Sequence, residues 1–292
     1  MSTSILPSRM RRGALGAVVL SSILALAGCG SDDHSPRLPE AGTANLVVLE
    51  TTDLHANLLS YDYFKLAEDK SVGFERTATL IRQARAEFSN TVLIDNGDTI
   101  QGTALADYQA LVSPVTCSAK LATYKAMDAI GYDAGTLGNH EFNYGLPYLA
   151  QVTGTRFNVE GMPEPTAQPL CKGPDFPLAL ANVTSRKDGK PLYKPYVMLE
   201  RKISGVDKDG KAFEGTIKVA VIGFTPPPIL SWDKRWLDGK VDVQGVVEAA
   251  GKYVPMARAK GADLVIAASH GGFDSRTYSA TMENANYHLA KV

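Results

Sequence analysis

Six side chains suited to binding metal or moving protons are Asp53, His55, Asp98, Asn139, His140 and His270. Each group follows a short apolar run: 45–51 before Asp53, 91–95 before Asn96-Gly97-Asp98, 132–137 before Gly138-Asn139-His140-Glu141, and 263–269 before His270. Oxygen donors mixed with imidazole nitrogens suit Mn, Fe, Co or Zn rather than copper(I) or an iron–sulfur cluster, and no Cys is in the set. An Asp between two such ions can bridge them. A pair of ions about 3.5–4 Å apart clamps the attacking and leaving oxygens of an in-line displacement at phosphorus, so the set as a whole points to phosphoester hydrolysis. Taken singly, Asp-x-His and Gly-Asp are common near turns and say little. His34, in a polar segment, and His288, in a terminal helical stretch, are left out of the set.

Those residues must be carried by rigid elements. The β-branched, apolar runs 45–51 and 91–95 predict buried strands. Between them Phe74, Thr77, Leu80, Ile81, Ala84 and Phe88 recur at helical spacing and predict an amphipathic helix. Ser118 is expected to cap a helix carrying Leu121, Tyr124 and Ile130, ended by Gly131. The runs 196–203 and 216–224 flank Asp209-Gly210 and predict a hairpin. A helix over about 244–259 then feeds a strand over 263–269, while Pro and Gly over 154–177 predict a long surface loop. Strands alternating with helices predict a layered α/β domain, and in such folds sites form at the carboxyl ends of strands.

The 292 residues carry 30 basic and 31 acidic side chains, a net charge of -1, which provides no field for gripping a nucleic acid polymer. The first 28 residues read as a secretory signal: Arg9, Arg11 and Arg12 precede an apolar run over 14–27 with no acidic residue. That run is shorter than the ~20 residues a membrane span needs. Without the signal, 27 basic against 31 acidic residues leave -4. Leu26-Ala27-Gly28-Cys29 resembles the lipobox of bacterial lipoproteins, which implies a lipid on Cys29; ordinary cleavage after a small residue is the alternative. Residues 29–44, polar and broken by Pro36 and Pro39, are expected to be a tether, and the protein to be exported to the periplasm or held on the outer membrane. Cys117 and Cys171 remain as an even pair that could be bonded or free; two Cys carry no spacing signature. Asn182-Val183-Thr184 is a sequon treated as chance.

Asp53-Leu54-His55, the run 97–102 (GDTIQG), Gly138-Asn139-His140-Glu141-Phe142 and Ser269-His270-Gly271 stand in the order of the motifs of the calcineurin-like metallophosphoesterases. The chain resembles that family over nearly all of 45–292. Asp107-Tyr108, the run 138–145 (GNHEFNYG), Thr225-Pro226-Pro227 and Trp232-Asp233-Lys234 are similar to its 2',3'-cyclic-nucleotide 2'-phosphodiesterase/3'-nucleotidase branch. The resemblance implies a layered α-β-β-α sandwich holding two divalent ions (Mn, Zn, Co or Fe). Asp53 and His55 would bind the first, Asp98 would bridge, and Asn139 and His270 would bind the second. His140 would be the catalytic histidine that is not a ligand, held by Asn143, which stands where the related 5'-nucleotidases usually carry Asp. The reaction implied is attack of a bound hydroxide on a nucleotide phosphoester. The family also has a further Gly-His-x-His motif and a nucleotide-binding domain that do not occur before Val292. The chain is therefore expected to be an incomplete phosphoesterase domain, weak or inactive alone. The alternatives are a 5'-nucleotidase or nucleoside-diphosphate-sugar hydrolase, and a surface lipoprotein that only binds ligands.

Overall fold

A computed structural model describes residues 38–39 and 41–292. The expected signal segment, Cys29, His34 and most of the tether lie outside the described residues. Among the described residues no helix is long and apolar enough to cross a membrane.

The described part begins with β1 (Gly42–Thr43), β2 (Val47–Thr51), β3 (Tyr61–Asp62), β4 (Ala67–Glu68), α1 (Phe74–Glu87) and β5 (Thr91–Asp95). Then come α2 (Ala104–Asp107), α3 (Ala122–Ile130), β6 (Ala134–Gly135), α4 (Leu146–Thr153) and β7 (Val183–Ser185). The hairpin β8 (Tyr196–Asp207) and β9 (Ala212–Phe224) turns at Asp209-Gly210, as expected. It is followed by α5 (Ile229–Trp232), α6 (Lys234–Leu237), β10 (Val241–Val243), α7 (Val246–Ala259), β11 (Leu264–Ser269) and α8 (Asn286–Leu289).

Two sheets lie face to face. One runs β2-β5-β6, all parallel; the other runs β1-β8-β9-β11, with β9 and β11 parallel. The period of two along a strand sorts the side chains between layers. Val92 and Ile94 of β5 meet Val197, Val221 and Ala268 between the sheets, while Leu93 turns outward to Phe74, Ile81 and Met127. On the far side Ala220 and Ile222 of β9 meet Ala249, Ala250 and Tyr253 of α7. These three apolar seams make the α-β-β-α order. Each fully buried side chain of this size contributes about 1.5–3 kcal/mol.

Several details depart from the sequence reading. β2 is an edge strand with Val48 41% exposed, so 45–51 is not a fully buried strand. Along α1 the buried positions are Phe74, Ala78 and Ile81, whereas Leu80 falls on the opposite side and is 64% exposed. Ser118 caps nothing: α3 starts at Ala122 after Leu121, with no side-chain cap, and Gly131 ends it in the left-handed region (φ 78°). The segment 154–177 is irregular, but Phe157, Val159 and Phe176 are buried in the core, so it is more than a surface loop. Gly42 and Thr43, within the expected tether, pair with Asp207 and Val206 of β8.

Cys117 and Cys171 form a disulfide with Cα atoms 4.4 Å apart. Closing a loop over a separation of 54 residues contributes on the order of 4 kcal/mol in the chain-entropy account. Asn182 is fully buried, donating to the carbonyls of Thr225 and Gln244, which leaves no room for a glycan.

Candidate active site

The parallel pairing of β2 with β5 continues past the strand ends into the two loops that follow. Asn96 N donates to Thr51 O (2.7 Å), Asp53 N to Gly97 O (3.0 Å), His55 N to Asp98 O (2.9 Å) and Ala56 N to Thr99 O (3.0 Å). Asp53, His55, Ala56 and Asp98 all have φ between 47° and 59°. Such left-handed conformations cost on the order of 1–3 kcal/mol each and persist only where the surroundings hold them, which this irregular ladder does. A third loop closes on the pair through Gly138. A Cβ there would overlap the Asp98 carboxylate and stand 2.8 Å from His270 Cε1.

One carboxylate pins these loops together. Glu141, on the short 3-10 turn His140–Phe142, is buried, with its oxygens accepting from four backbone amides. Oε2 takes Asp98 N (2.8 Å) and Gly138 N (2.7 Å), and Oε1 takes Thr99 N (2.6 Å) and Ile100 N (3.3 Å). Burial and the nearby Asp98 charge push the Glu141 carboxyl above its ordinary value, although the amides oppose this. Asp95, equally buried, accepts from the Thr51 and Thr99 hydroxyls and is pushed up to about 7, chiefly by burial.

The structure brings all the expected site residues of these loops together. Asp53, Asp98 and His270 place one donor atom each within 4.8 Å of one another, and so do His55, Asp98 and His140. Asp98 is common to both groups. His270 Nε2 is 3.1 Å and His140 Nε2 is 4.0 Å from Asp98 Oδ2, and His55 Nε2 is 3.5 Å from Asp53 Oδ1. Asn139, half-buried, lines the same cleft as Asp53 and His270, a space of about 1050 Å³. Burial alone would raise Asp98, but His270 and the His140 amide (2.7 Å) outweigh it and hold the carboxyl below its ordinary value. Burial likewise opposes charge on His270, and Asp98 overrides it, raising the imidazole to about 9. His288 lies on α8 and bonds the Arg276 carbonyl, outside this cluster.

The donor set fits divalent ions. His55 Nδ1 is 2.7 Å from the Gln101 carbonyl and His270 Nδ1 is 2.8 Å from the Asn96 carbonyl. A carbonyl can only accept, so in both rings Nδ1 carries the hydrogen, and in the neutral ring the Nε2 lone pair faces the cluster. Metal-binding imidazoles are oriented in this manner. His140 differs: its Nδ1 is 2.6 Å from Asn143 Oδ1, and Asn143 Nδ2 donates to both oxygens of Asp233, at 3.2 and 3.0 Å.

Comparison with known proteins agrees with this geometry. The family model of the calcineurin-like phosphoesterases matches residues 46–285. The chain belongs to that family. It is 42% identical over 259 residues to the 2',3'-cyclic-nucleotide 2'-phosphodiesterase/3'-nucleotidase of Salmonella typhimurium, covering 86% of this chain and 35% of that protein. A snake venom 5'-nucleotidase from Naja atra is 32% identical over 237 residues, covering 80% of this chain and 37% of the relative. The chain thus spans about a third of the length of these curated relatives. The crystal structure of the calcineurin-like phosphoesterase YfkN from Bacillus subtilis superposes with a TM-score of 0.73 at 39% identity, covering 86% of this chain and 69% of that one.

Sequence reasoning missed three buried acids, Asp95, Glu141 and Asp233, that touch the site loops or Asn143. Glu141 was in view as the last residue of a motif, but its amide partners are 41–43 positions away, apart from the neighbouring Gly138. Asp233 had only its place beside Trp232 and Lys234 to mark it.

Proposed function

We propose that this domain hydrolyses nucleotide phosphoesters as the catalytic part of a 2',3'-cyclic-nucleotide 2'-phosphodiesterase and 3'-nucleotidase. The observation that carries the reading is Asp98, a buried carboxylate shared by two donor triads, with His140 beside it. The names of its relatives supply the substrate class. Asp53, His55, Asn139 and His270 would hold divalent ions (Mn, Zn, Co or Fe), with Asp98 in reach of both donor groups; the resemblance allots Asp53 and His55 to one ion and Asn139 and His270 to a second. When bound, such ions supply Lewis acidity toward phosphoryl oxygens and activate water.

The chain's own residues do the rest. The ladder between 53–56 and 96–99 holds the donors so that little reorganisation accompanies binding. His140, 38% exposed on its side chain, turns Nε2 toward the cluster and can reach a substrate. Protonated, it donates to phosphoryl oxygens or to the leaving ribose oxygen. Asn143 keeps the ring in place through Nδ1, and the cleft beside Asn139 and His270 is large enough for a nucleotide. Export through residues 1–28 and anchoring to a membrane by a lipid on Cys29 belong to the same proposal. Cell fractionation of Cys29→Ala, which should release the protein from membranes, tests them.

Hydrolysis of 2',3'-cyclic AMP, 3'-AMP and 5'-AMP with Mn or Zn tests the activity. The cyclic and 3' substrates should be preferred, and Asp98→Asn should abolish turnover. A preference for 5'-AMP would shift the reading toward the 5'-nucleotidase relatives, and a rate unchanged in Asp98→Asn would overturn it.

A further inference from the structure

We infer that Asp233 is a positioning residue for His140: it dictates the direction of the Asn143 amide, and through it whether Nε2 of the neutral His140 ring faces the site bare. The inference rests on the role proposed for His140 and extends it to a residue on a different element.

An Asn amide beside an imidazole can present either end. Its oxygen accepts from Nδ1–H; its NH₂, turned to the ring, donates to a bare Nδ1 and sends the ring hydrogen to Nε2. Nothing in His140 or Asn143 alone chooses between the two. Asp233 chooses, because an ionised carboxylate has acceptors only, and both its oxygens lie within 3.2 Å of Asn143 Nδ2. The NH₂ is thereby committed to Asp233, the oxygen to His140 Nδ1 at 2.6 Å, and the Nε2 lone pair of the neutral ring to the cluster. A general acid must take up and release its proton at the atom that faces substrate, which is Nε2 here.

The placement of Asp233 supports this role. It occupies the N-cap position of α6, where Asp commonly bonds a helix amide, yet its side chain makes no cap hydrogen bond. The helix amides of Trp236 and Leu237 are taken by its backbone carbonyl (2.8 and 3.1 Å), which leaves the carboxylate for Asn143. The same turn holds the other end of Asn143, since Trp236 Nε1 donates to its carbonyl (2.8 Å). Asp233 is only 4% exposed, so water does not compete for the amide.

The test reads the tautomer of His140 directly, from the ¹⁵N shifts of the ring in labelled protein without substrate, the signals assigned by their loss in His140→Gln. The unsubstituted protein should show Nδ1 protonated in its neutral ring; a proton on Nε2 overturns the proposal with no variant needed. In Asp233→Asn either end of residue 233 can face Asn143, so the Nδ1–H form should lose its dominance. Asn143→Asp added to Asp233→Asn should restore it, because a carboxylate at 143 accepts from Nδ1–H unaided. In whichever form of the protein is active, kcat should fall about tenfold or more in Asp233→Asn, with KM within about twofold, and recover in the double variant. A ring spectrum unchanged by Asp233→Asn, or not restored by the second substitution, reduces Asp233 to a packing residue. These spectra do not depend on which phosphoester is cleaved, so failure here and failure of the nucleotidase reading are separate results.

Discussion

Replacing Glu141 by Gln tests whether one carboxylate holds the metal-binding loops in register. Gln keeps the volume and one oxygen, but turns the other into a donor. If the NH₂ takes the place of Oε1, the amides of Thr99 and Ile100 face a donor; if it takes the place of Oε2, those of Asp98 and Gly138 do. Two amides are stranded in either case. Hydrogen bonds to a charged group are worth about 1.5–3 kcal/mol each, giving about 3–6 kcal/mol. The longer 3.3 Å bond to Ile100 makes the Oε1 side the cheaper one to lose, which favours the lower end. A term of opposite sign is present as well. Burial pushes the Glu141 carboxyl up, so its charge is held at some cost that Gln does not carry. The loss prevails because two buried amides would face a donor with no acceptor in reach, and a net cost of about 2–4 kcal/mol is expected. Urea denaturation at pH 7.5 should show the midpoint falling at constant slope. Metal affinity should fall about 10- to 100-fold, because the Asp98 and Gly138 amides are part of what Glu141 fixes. A variant within about 0.5 kcal/mol of the original, a size typical of unimportant surface sites, with undiminished metal affinity would refute the argument.

His140→Ala should retain its metal content by elemental analysis while losing about 10²–10⁴-fold in phosphoester turnover, the range of general acid–base contributions; loss of metal would make His140 a ligand instead. Replacing both Cys117 and Cys171 by Ser should lower stability by on the order of 4 kcal/mol in chemical denaturation, and a loss under about 1 kcal/mol would show that the crosslink constrains little. In metal-free protein His270 has its pKa raised to about 9 from 6.5 by Asp98. The folded state therefore holds this proton more tightly. The resulting stability, no more than about 3 kcal/mol, is complete below pH 6.5 and is lost as the pH rises through 9. Thermal melts after chelation should show that decline, and His270→Gln should remove it.

How far the sequence could be read depended on whether a residue's role is local. The runs at β5 and β11 and the turn at Asp209-Gly210 were legible because short continuous apolar runs and turn chemistry act between near neighbours. Whether a strand lies at an edge is decided by what pairs with it from elsewhere, so β2, with Val48 exposed, could not be told from β5 by composition. The site shows the same division. Asp53, His55, Asp98, Asn139 and His270 lie just past strand ends around one cluster, and their types at those places suffice to suggest metal. Glu141 and Asp233 are buried, and most of their lone pairs are spent on groups distant in sequence: Asp98, Thr99 and Ile100 for the one, Asn143 for the other. In sequence Asp233 has only its place between Trp232 and Lys234, and only the geometry shows it at the N-cap of α6 with its carboxylate given to Asn143 instead of the helix. Residues that bind metal must leave an atom unsatisfied, and residues that position them must leave none. The former are conspicuous by type and spacing, while the latter resemble ordinary caps and turn acids until their partners are located in space.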